Sequence, residues 1–282
     1  MQESITLLDG KRILLAVTGS IACYKAVDLA SKLTQAGAQV DVILTDAAQR
    51  FVTPLTFQAV TGRPVYTSLW ETGSGGLPTH IAHVGLGESA DLMLVAPATA
   101  DTIAKLAAGR ADDLLTVTAL AARCPLVIAP AMDGGMYEHP AMQANLATLR
   151  ERGTRILEPE EGRFASGLVG RGRLPETQTL LGAIRLVLGQ DGVLSGRRVL
   201  VTAGGTREPL DPVRYITNRS SGKQGYAVAQ AALDAGADVI LVTTTKALPV
   251  PYGARMVAVD TAERLLKAVM ANLPSADALI MA

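Results

Sequence analysis

ILLAVTGSIACYKAVDLASKL, residues 13–33, decides the fold class. It opens as an apolar run too short for a helix and breaks at Thr18-Gly19-Ser20. It then continues with Ala22, Ala26, Leu29, Ala30 and Leu33 at helical spacing on one face. Gly37 marks the end of that helix, and a second apolar run, 39–45, follows. Strand, helix, strand is the repeating unit of a parallel sheet. The alternation persists, with further strands expected at 92–96, 125–129 and 154–158 and helices at 47–60, 100–108, 113–122, 140–152 and 177–189. This reads as an open α/β sheet with helices on both faces, in which ligands gather at the carboxyl ends of the strands.

The glycine- and serine-bearing GQDGVLSGRR (189–198) reads as a linker, and a second unit of the same kind follows. It runs from VLVTAGGT (199–206) through RYITNRSSGKQGYAVA (214–229), with a helix over 223–235, a strand over 238–244, a helix over 261–272 and a last apolar run over 277–282. The expected organisation is a domain over 1–187, a linker over 188–196 and the first part of another domain over 197–282, cut within its fold. Two strand–loop–helix units a domain length apart imply two nucleotide-type sites of different design.

Of the 282 residues 49% are hydrophobic but only 4% aromatic, so Ala, Val and Leu carry the core, as in strands covered on both faces. Lys plus Arg and Asp plus Glu both number 26, which leaves no net field to draw the chain to nucleic acid or an anionic membrane. Any phosphate must be held by local amides and a few placed side chains. Cys23 and Cys124 fit a reducing compartment rather than a disulfide framework. The polar start MQESITLLDGKR is not a signal peptide, and no apolar run approaches the ~18 residues of a membrane span. A soluble cytoplasmic protein is expected.

Thr18 to Ile21 join the first strand to the first helix, where a helix start, the Ser20 hydroxyl and an unencumbered Gly19 suit a phosphate. An ordinary cap by Ser20 fits the spacing equally well. Thr45 ends the second strand, and Thr99 in APATADTIAKLAAG (96–109) lies between a strand and a helix, either facing the same crevice or capping that helix. The spacing is not GxGxxG, which favours a mononucleotide. Among three histidines, His83 stands just before a strand, near the crevice if its loop folds back. PAMDGGMYEHPAMQANL (130–146) flanks Asp133 with Met132 and Met136, an adaptable apolar surface with one polar contact. ASGLVGRGR (165–173) reads as a mobile lid. In the second unit Gly204 and Gly205 end a strand, and Asn218, Ser220, Ser221 and Lys223 converge at a helix start, an anion cradle without the Walker spacing. No His/Cys cluster has metal-ligand spacing, so no metal is expected.

GSIACYKA (19–26), AHVGLGESADLMLVAPATADTIAKLAAG (82–109), PAMDGGM (130–136) and GLVGRGR (167–173) resemble, in sequence and order, the flavin-dependent cysteine decarboxylases. VTAGGTREPLDPVRYITNRSSGKQG (201–225) resembles the start of phosphopantothenate–cysteine ligase. Together they resemble the bifunctional bacterial family of coenzyme A biosynthesis. The resemblance implies a flavodoxin-like, doubly wound domain that binds FMN, followed by a partial Rossmann-like domain. Gly19, Ser20, Ile21 and Thr45 would hold the phosphate end, with Thr99 near the flavin. His83 matches the catalytic histidine, and Asp133 stands where many relatives carry an asparagine that contacts the substrate carboxylate. The implied reaction oxidises the cysteinyl carbon–sulfur unit to a thioaldehyde, which acts as the electron sink for decarboxylation, and then returns the enethiol to a saturated thiol. Ser166 replaces the lid cysteine that many relatives use as the last proton donor, and a hydroxyl is a far poorer acid.

The ligase half implies CTP, with Mg2+, and an acyl-cytidylate intermediate at Asn218, with Gly204, Gly205, Ser220, Ser221 and Lys223 around nucleotide and substrate. The family's lysine-rich loop lies beyond Ala282, so the chain alone is not expected to ligate. The implied partners are phosphopantothenoylcysteine, phosphopantothenate, cysteine and further copies of the chain in a trimer or dodecamer. A peptidyl-cysteine decarboxylase that stops at the enethiol competes on the strength of Ser166. A non-catalytic regulatory subunit competes on fold alone, against His83.

Overall fold

The computed structural model describes residues 5–70, 79–163 and 167–282, and for 79–82 the backbone alone. The chain divides into two compact units, 1–181 and 182–282.

The first unit contains strands β1 (Arg12–Val17), β2 (Gln39–Leu44), β3 (Val65–Tyr66), β4 (Leu92–Ala98), β5 (Leu126–Pro130) and β6 (Arg155–Ile156) in one sheet. Its helices are α1 (Cys23–Gln35), α2 (Pro54–Thr61), α3 (Thr79–Ser89), α4 (Ala100–Ala108), α5 (Leu114–Ala121), α6 (Gly134–Glu138) and α7 (Pro140–Glu151). The hairpin β7 (Glu160–Arg163) and β8 (Val169–Arg173) follows, and α8 (Thr177–Gly189) begins in this unit and ends in the next. The six strands are all parallel and run in the order β3-β2-β1-β4-β5-β6. With the two-residue β3 set aside, the rest follow the flavodoxin order. The direction of winding reverses between β1 and β4.

The apolar runs of the sequence are these strands, and β4 is buried along its whole length. α1 buries Cys23, Ala26, Leu29, Ala30 and Leu33, the expected stripe with Cys23 in place of Ala22, which caps the helix. It closes in a Schellman motif around Gly37, with Ala38 N–H to Leu33 and Gly37 N–H to Thr34, each at 3.0 Å. Buried Asp41 on β2 accepts from Arg63 Nε at 2.8 Å and from its outer nitrogen at 3.0 Å, which secures the short β3 to the sheet.

Four local expectations are corrected. Residues 79–89 form α3 rather than a loop: Gly85 and Gly87 lower intrinsic helix propensity, but α3 packs on α5, buries Leu86 and sets Gly87 against the backbone of Ala122. The helix expected over 47–60 is a 3-10 turn at Ala48–Arg50 and then α2, because Pro54 holds Thr53 extended at φ −80°, ψ 154°. The strand expected over 154–158 is only β6. The stretch expected as a mobile lid is strand β8 over Val169–Arg173, in an antiparallel ladder with β7; its glycine content masked the pairing.

The second unit holds β9 (Arg198–Ala203), the hairpin β10 (Arg207–Pro209) and β11 (Tyr215–Thr217), α9 (Lys223–Asp234), β12 (Asp238–Thr243), β13 (Arg255–Ala258), α10 (Ala262–Asn272) and β14 (Ala278–Met281). Its parallel sheet runs β13-β12-β9-β14. α9 ends in the same hydrogen-bond pattern as α1, now around Gly236, so Ala-Gly-Ala at 36–38 and 235–237 turns both helices into their next strands. The sequence reading lacked the β10–β11 hairpin and β13, whose residues are short, half-polar and mostly exposed.

Candidate active site

Reversal of winding between β1 and β4 parts the loops that leave their carboxyl ends and opens a crevice there. It measures about 770 Å3. At its floor the buried Thr18 joins the two strands. Its hydroxyl donates to the Pro97 carbonyl at 2.7 Å and accepts from the Thr99 N–H at 3.0 Å. Thr45, after β2, accepts from Ala48 N–H at 3.2 Å and so holds the 3-10 turn in place. Thr99 caps α4, its hydroxyl 3.2 Å from that of Thr102. Capping and facing the crevice are therefore not alternatives for Thr99; it does both.

Thr18, Gly19, Thr45, Thr99 and Met136 line this one crevice, whereas Ser20, Ile21, His83, Met132 and Asp133 are not in its wall. Gly19 is needed for a reason other than ligand approach: a Cβ there would stand 2.5 Å from that of Ala47, so the glycine lets the loops after β1 and β2 touch. Ser20 does not cap α1, whose cap Ala22 has no side-chain bond; its hydroxyl accepts from Ala22 N–H at 3.2 Å within the loop. Ile21 is exposed. His83 lies on α3, and its Nδ1 is buried with no hydrogen-bond partner among the described residues. Asp133 caps α6, accepting from Gly135 N–H at 3.2 Å. Met132 donates its N–H to the Gly172 carbonyl of β8 at 2.9 Å. Ser166 lies outside the described residues.

The sequence reading did not single out Lys105, Asp101, Asp113, Leu69 or Trp70, all in the crevice wall. Lys105 meets Asp113 at 3.2 Å and Asp101 at 3.5 Å. Burial works against its ammonium, but the Asp113 bond and the nearby carboxylates outweigh this and raise its pKa above the usual lysine value. The one readable signal was the i,i+4 pair Asp101–Lys105 on a helix. Trp70, the single tryptophan of the chain, is 84% exposed at the crevice mouth.

In the second unit, the carboxyl end of β9 meets the start of α9. Asn218 Oδ1 accepts from Ser220 N–H at 2.9 Å, and a Cβ on Gly205 would collide with that carboxamide. Gly204 packs against Thr244. Gly222, not a serine, occupies the cap position of α9, with φ +78°. Ser220 and Ser221 accept from Gly222 N–H at 3.4 Å and Lys223 N–H at 3.5 Å, bonds long enough to be exchanged for a ligand's. Among the described residues no three His, Cys, Asp or Glu side chains form a metal cluster, and no helix is long and apolar enough to cross a membrane.

Residues 1–189 match the Flavoprotein family, and residues 194–282 match the DNA/pantothenate metabolism flavoprotein C-terminal domain. The chain is 50% identical over 277 residues to the coenzyme A biosynthesis bifunctional protein CoaBC of Mycobacterium tuberculosis strain H37Rv, covering 96% of this chain and 65% of that protein. The Bacillus subtilis CoaBC is 46% identical, with 97% and 68% covered. The chain thus spans about two thirds of the length of these relatives. Among solved structures, the FMN-dependent cysteine decarboxylase SpaF is similar at 37% identity and TM-score 0.54, over 64% of this chain and 97% of that one. A cysteine-to-serine mutant of PPC decarboxylase, complexed with pantothenoylaminoethenethiol, is similar at 30% identity and TM-score 0.55, over 63% and 97%.

Proposed function

We propose, for a chain that belongs to the CoaBC family of coenzyme A biosynthesis bifunctional proteins and carries a Flavoprotein domain, that its first unit decarboxylates phosphopantothenoylcysteine to phosphopantetheine with FMN. The observation that carries this reading is the convergence of Thr18, Thr45 and Thr99 in one crevice at the winding reversal of the sheet. The residues present fit FMN: hydroxyls and loop amides at the floor suit a phosphate, and Leu69, Trp70, Leu115 and Met136 offer an apolar wall to a planar ring. Gly19 and Thr45 in the wall take the phosphate end, with Ser20 and Ile21 next along the same loop and Thr99 beside the ring.

FMN when bound supplies a two-electron acceptor that makes loss of carbon dioxide from an otherwise unstabilised carbon feasible. The protein's own groups do the rest. His83 Nδ1, buried without a protein partner among the described residues, holds or removes a proton at the cysteinyl unit. Asp133 and the methionines beside it, Met132 and Met136, face the substrate chain. Ser166 takes the place of the family's cysteine as final proton donor and supplies that proton less readily than a thiol. In the second unit Gly204, Gly205, Asn218, Ser220, Ser221 and Lys223 form part of a CTP site, with Mg2+, for joining phosphopantothenate to cysteine. Work in the cytoplasm as a homo-oligomer, a trimer or dodecamer, completes the reading.

Incubation with FMN and phosphopantothenoylcysteine, followed by mass analysis, tests it. The expected product lacks carbon dioxide and is a saturated thiol. A product lighter by two further hydrogens favours the alternative to which Ser166 points, a decarboxylase that stops at the enethiol. Unchanged substrate refutes both.

A further inference from the structure

Glu158 lies between β6 and β7, and its carboxylate gathers groups from three elements. The Tyr137 hydroxyl of α6 donates to Oε2 at 2.9 Å, and Arg150 of α7 donates to Oε1 at 2.7 Å. Arg171 of β8 stands 3.0 Å from Oε2. Both guanidinium pairs are half-exposed, and such pairs contribute little by themselves. Tyr137 differs: it is 5% exposed within the core of the first unit, and a buried hydroxyl requires a partner. Burial, then the bond to Glu158, push the phenol pKa up, so the hydroxyl remains a donor.

What this bond fixes is the turn over 132–137. Met132 N–H donates to Gly172 of β8 at 2.9 Å, and Tyr137 N–H donates to the Asp133 carbonyl at 3.0 Å. The turn is therefore tied to the hairpin at its start by backbone, and at its end through Tyr137, Glu158 and Arg171. Met136, next to Tyr137, stands in the crevice wall. We infer that Glu158 is a positioning residue, setting the turn over 132–137 against β8 so that Asp133 and Met136 keep their places beside the substrate. The catalytic side of this role rests on the proposed decarboxylase reading; the link between turn and hairpin does not.

Glu158→Gln and Tyr137→Phe test the two parts separately. Glutamine keeps one acceptor oxygen for Tyr137 and Arg171 but removes the charge and turns an amide donor on Arg150, and phenylalanine removes the hydroxyl alone. Amide exchange at Met132 and Tyr137 is expected to accelerate about 10-fold in each variant, while Leu94 in β4 is unchanged. With FMN and phosphopantothenoylcysteine, KM is expected to rise about 10-fold, with kcat within about two-fold and an unaltered flavin spectrum. Unchanged exchange at both amides overturns the coupling. Faster exchange with an unchanged KM overturns the positioning role. If the unmodified protein releases no carbon dioxide, the decarboxylase reading and the catalytic role both fall, and exchange alone decides the coupling.

Discussion

Thr18→Val removes the hydroxyl that joins β1 to β4 while nearly keeping its shape. Two bonds are lost, with unequal consequences. The Pro97 carbonyl retains the Thr18 N–H at 3.3 Å, so the donated bond costs only its net contribution, about 1 kcal/mol. The Thr99 N–H is left without its acceptor, which adds about 1–3 kcal/mol. The sum is about 2–4 kcal/mol. Thr18→Ser, which keeps both bonds and loses one buried methyl, is expected to cost about 1 kcal/mol. Native-state hydrogen exchange at Leu94 and Val95 reads the opening of the first unit without requiring the whole chain to unfold in one step. A Val variant within about 0.5 kcal/mol of the Ser variant would refute the claim that these bonds hold the crevice floor together.

Gly205→Ala is expected to leave unfolding within about 0.5 kcal/mol, because the atoms nearest the new methyl are the movable end of Asn218. The same change is expected to accelerate exchange of the Ser220 amide, which loses Asn218 Oδ1; slow exchange there would show that the carboxamide does not depend on Gly205. Acid stability carries a third expectation. The bond from buried Lys25 holds the Glu176 carboxyl below its ordinary value of 4.5. A depressed carboxylate contributes stability that is present above its unfolded pKa and is lost as pH falls through the folded one. Glu176→Gln should therefore lower stability at neutral pH and above, where the Lys25 pair is intact, and flatten part of the further loss below the ordinary carboxylate range. Parallel acid limbs for the two proteins in urea titrations would count against it.

Elements that bury a periodic apolar face were legible in the sequence. β1, α1, β2 and β4 are set by local pattern, as are the matching elements of the second unit. What depends on tertiary contact was not. α3 carries two glycines and stands as a helix because α5 packs against it. β8 reads as a loop until β7 pairs with it. Within the site, Thr45 and Thr99 were accessible because each follows a strand. The place of Thr18 as the joint between two strands depends on β1 and β4 being neighbours, which no local signal encodes. Gly19 carries a second requirement that its residue type did not reveal: besides the phosphate it suggested, the loop around Ala47 leaves no room for a side chain there. Lys105 and Asp113 meet only because α4 and α5 bring them together.

The account turns on FMN occupying the crevice that Thr18, Thr45 and Thr99 floor. Trp70, the only tryptophan, stands at the mouth of that crevice and reports on it directly. Titration of the apo-protein with FMN, followed by tryptophan emission, is expected to give saturable quenching that ends at one flavin per chain. Emission that stays unchanged while FMN passes through gel filtration separately from the protein would contradict the account.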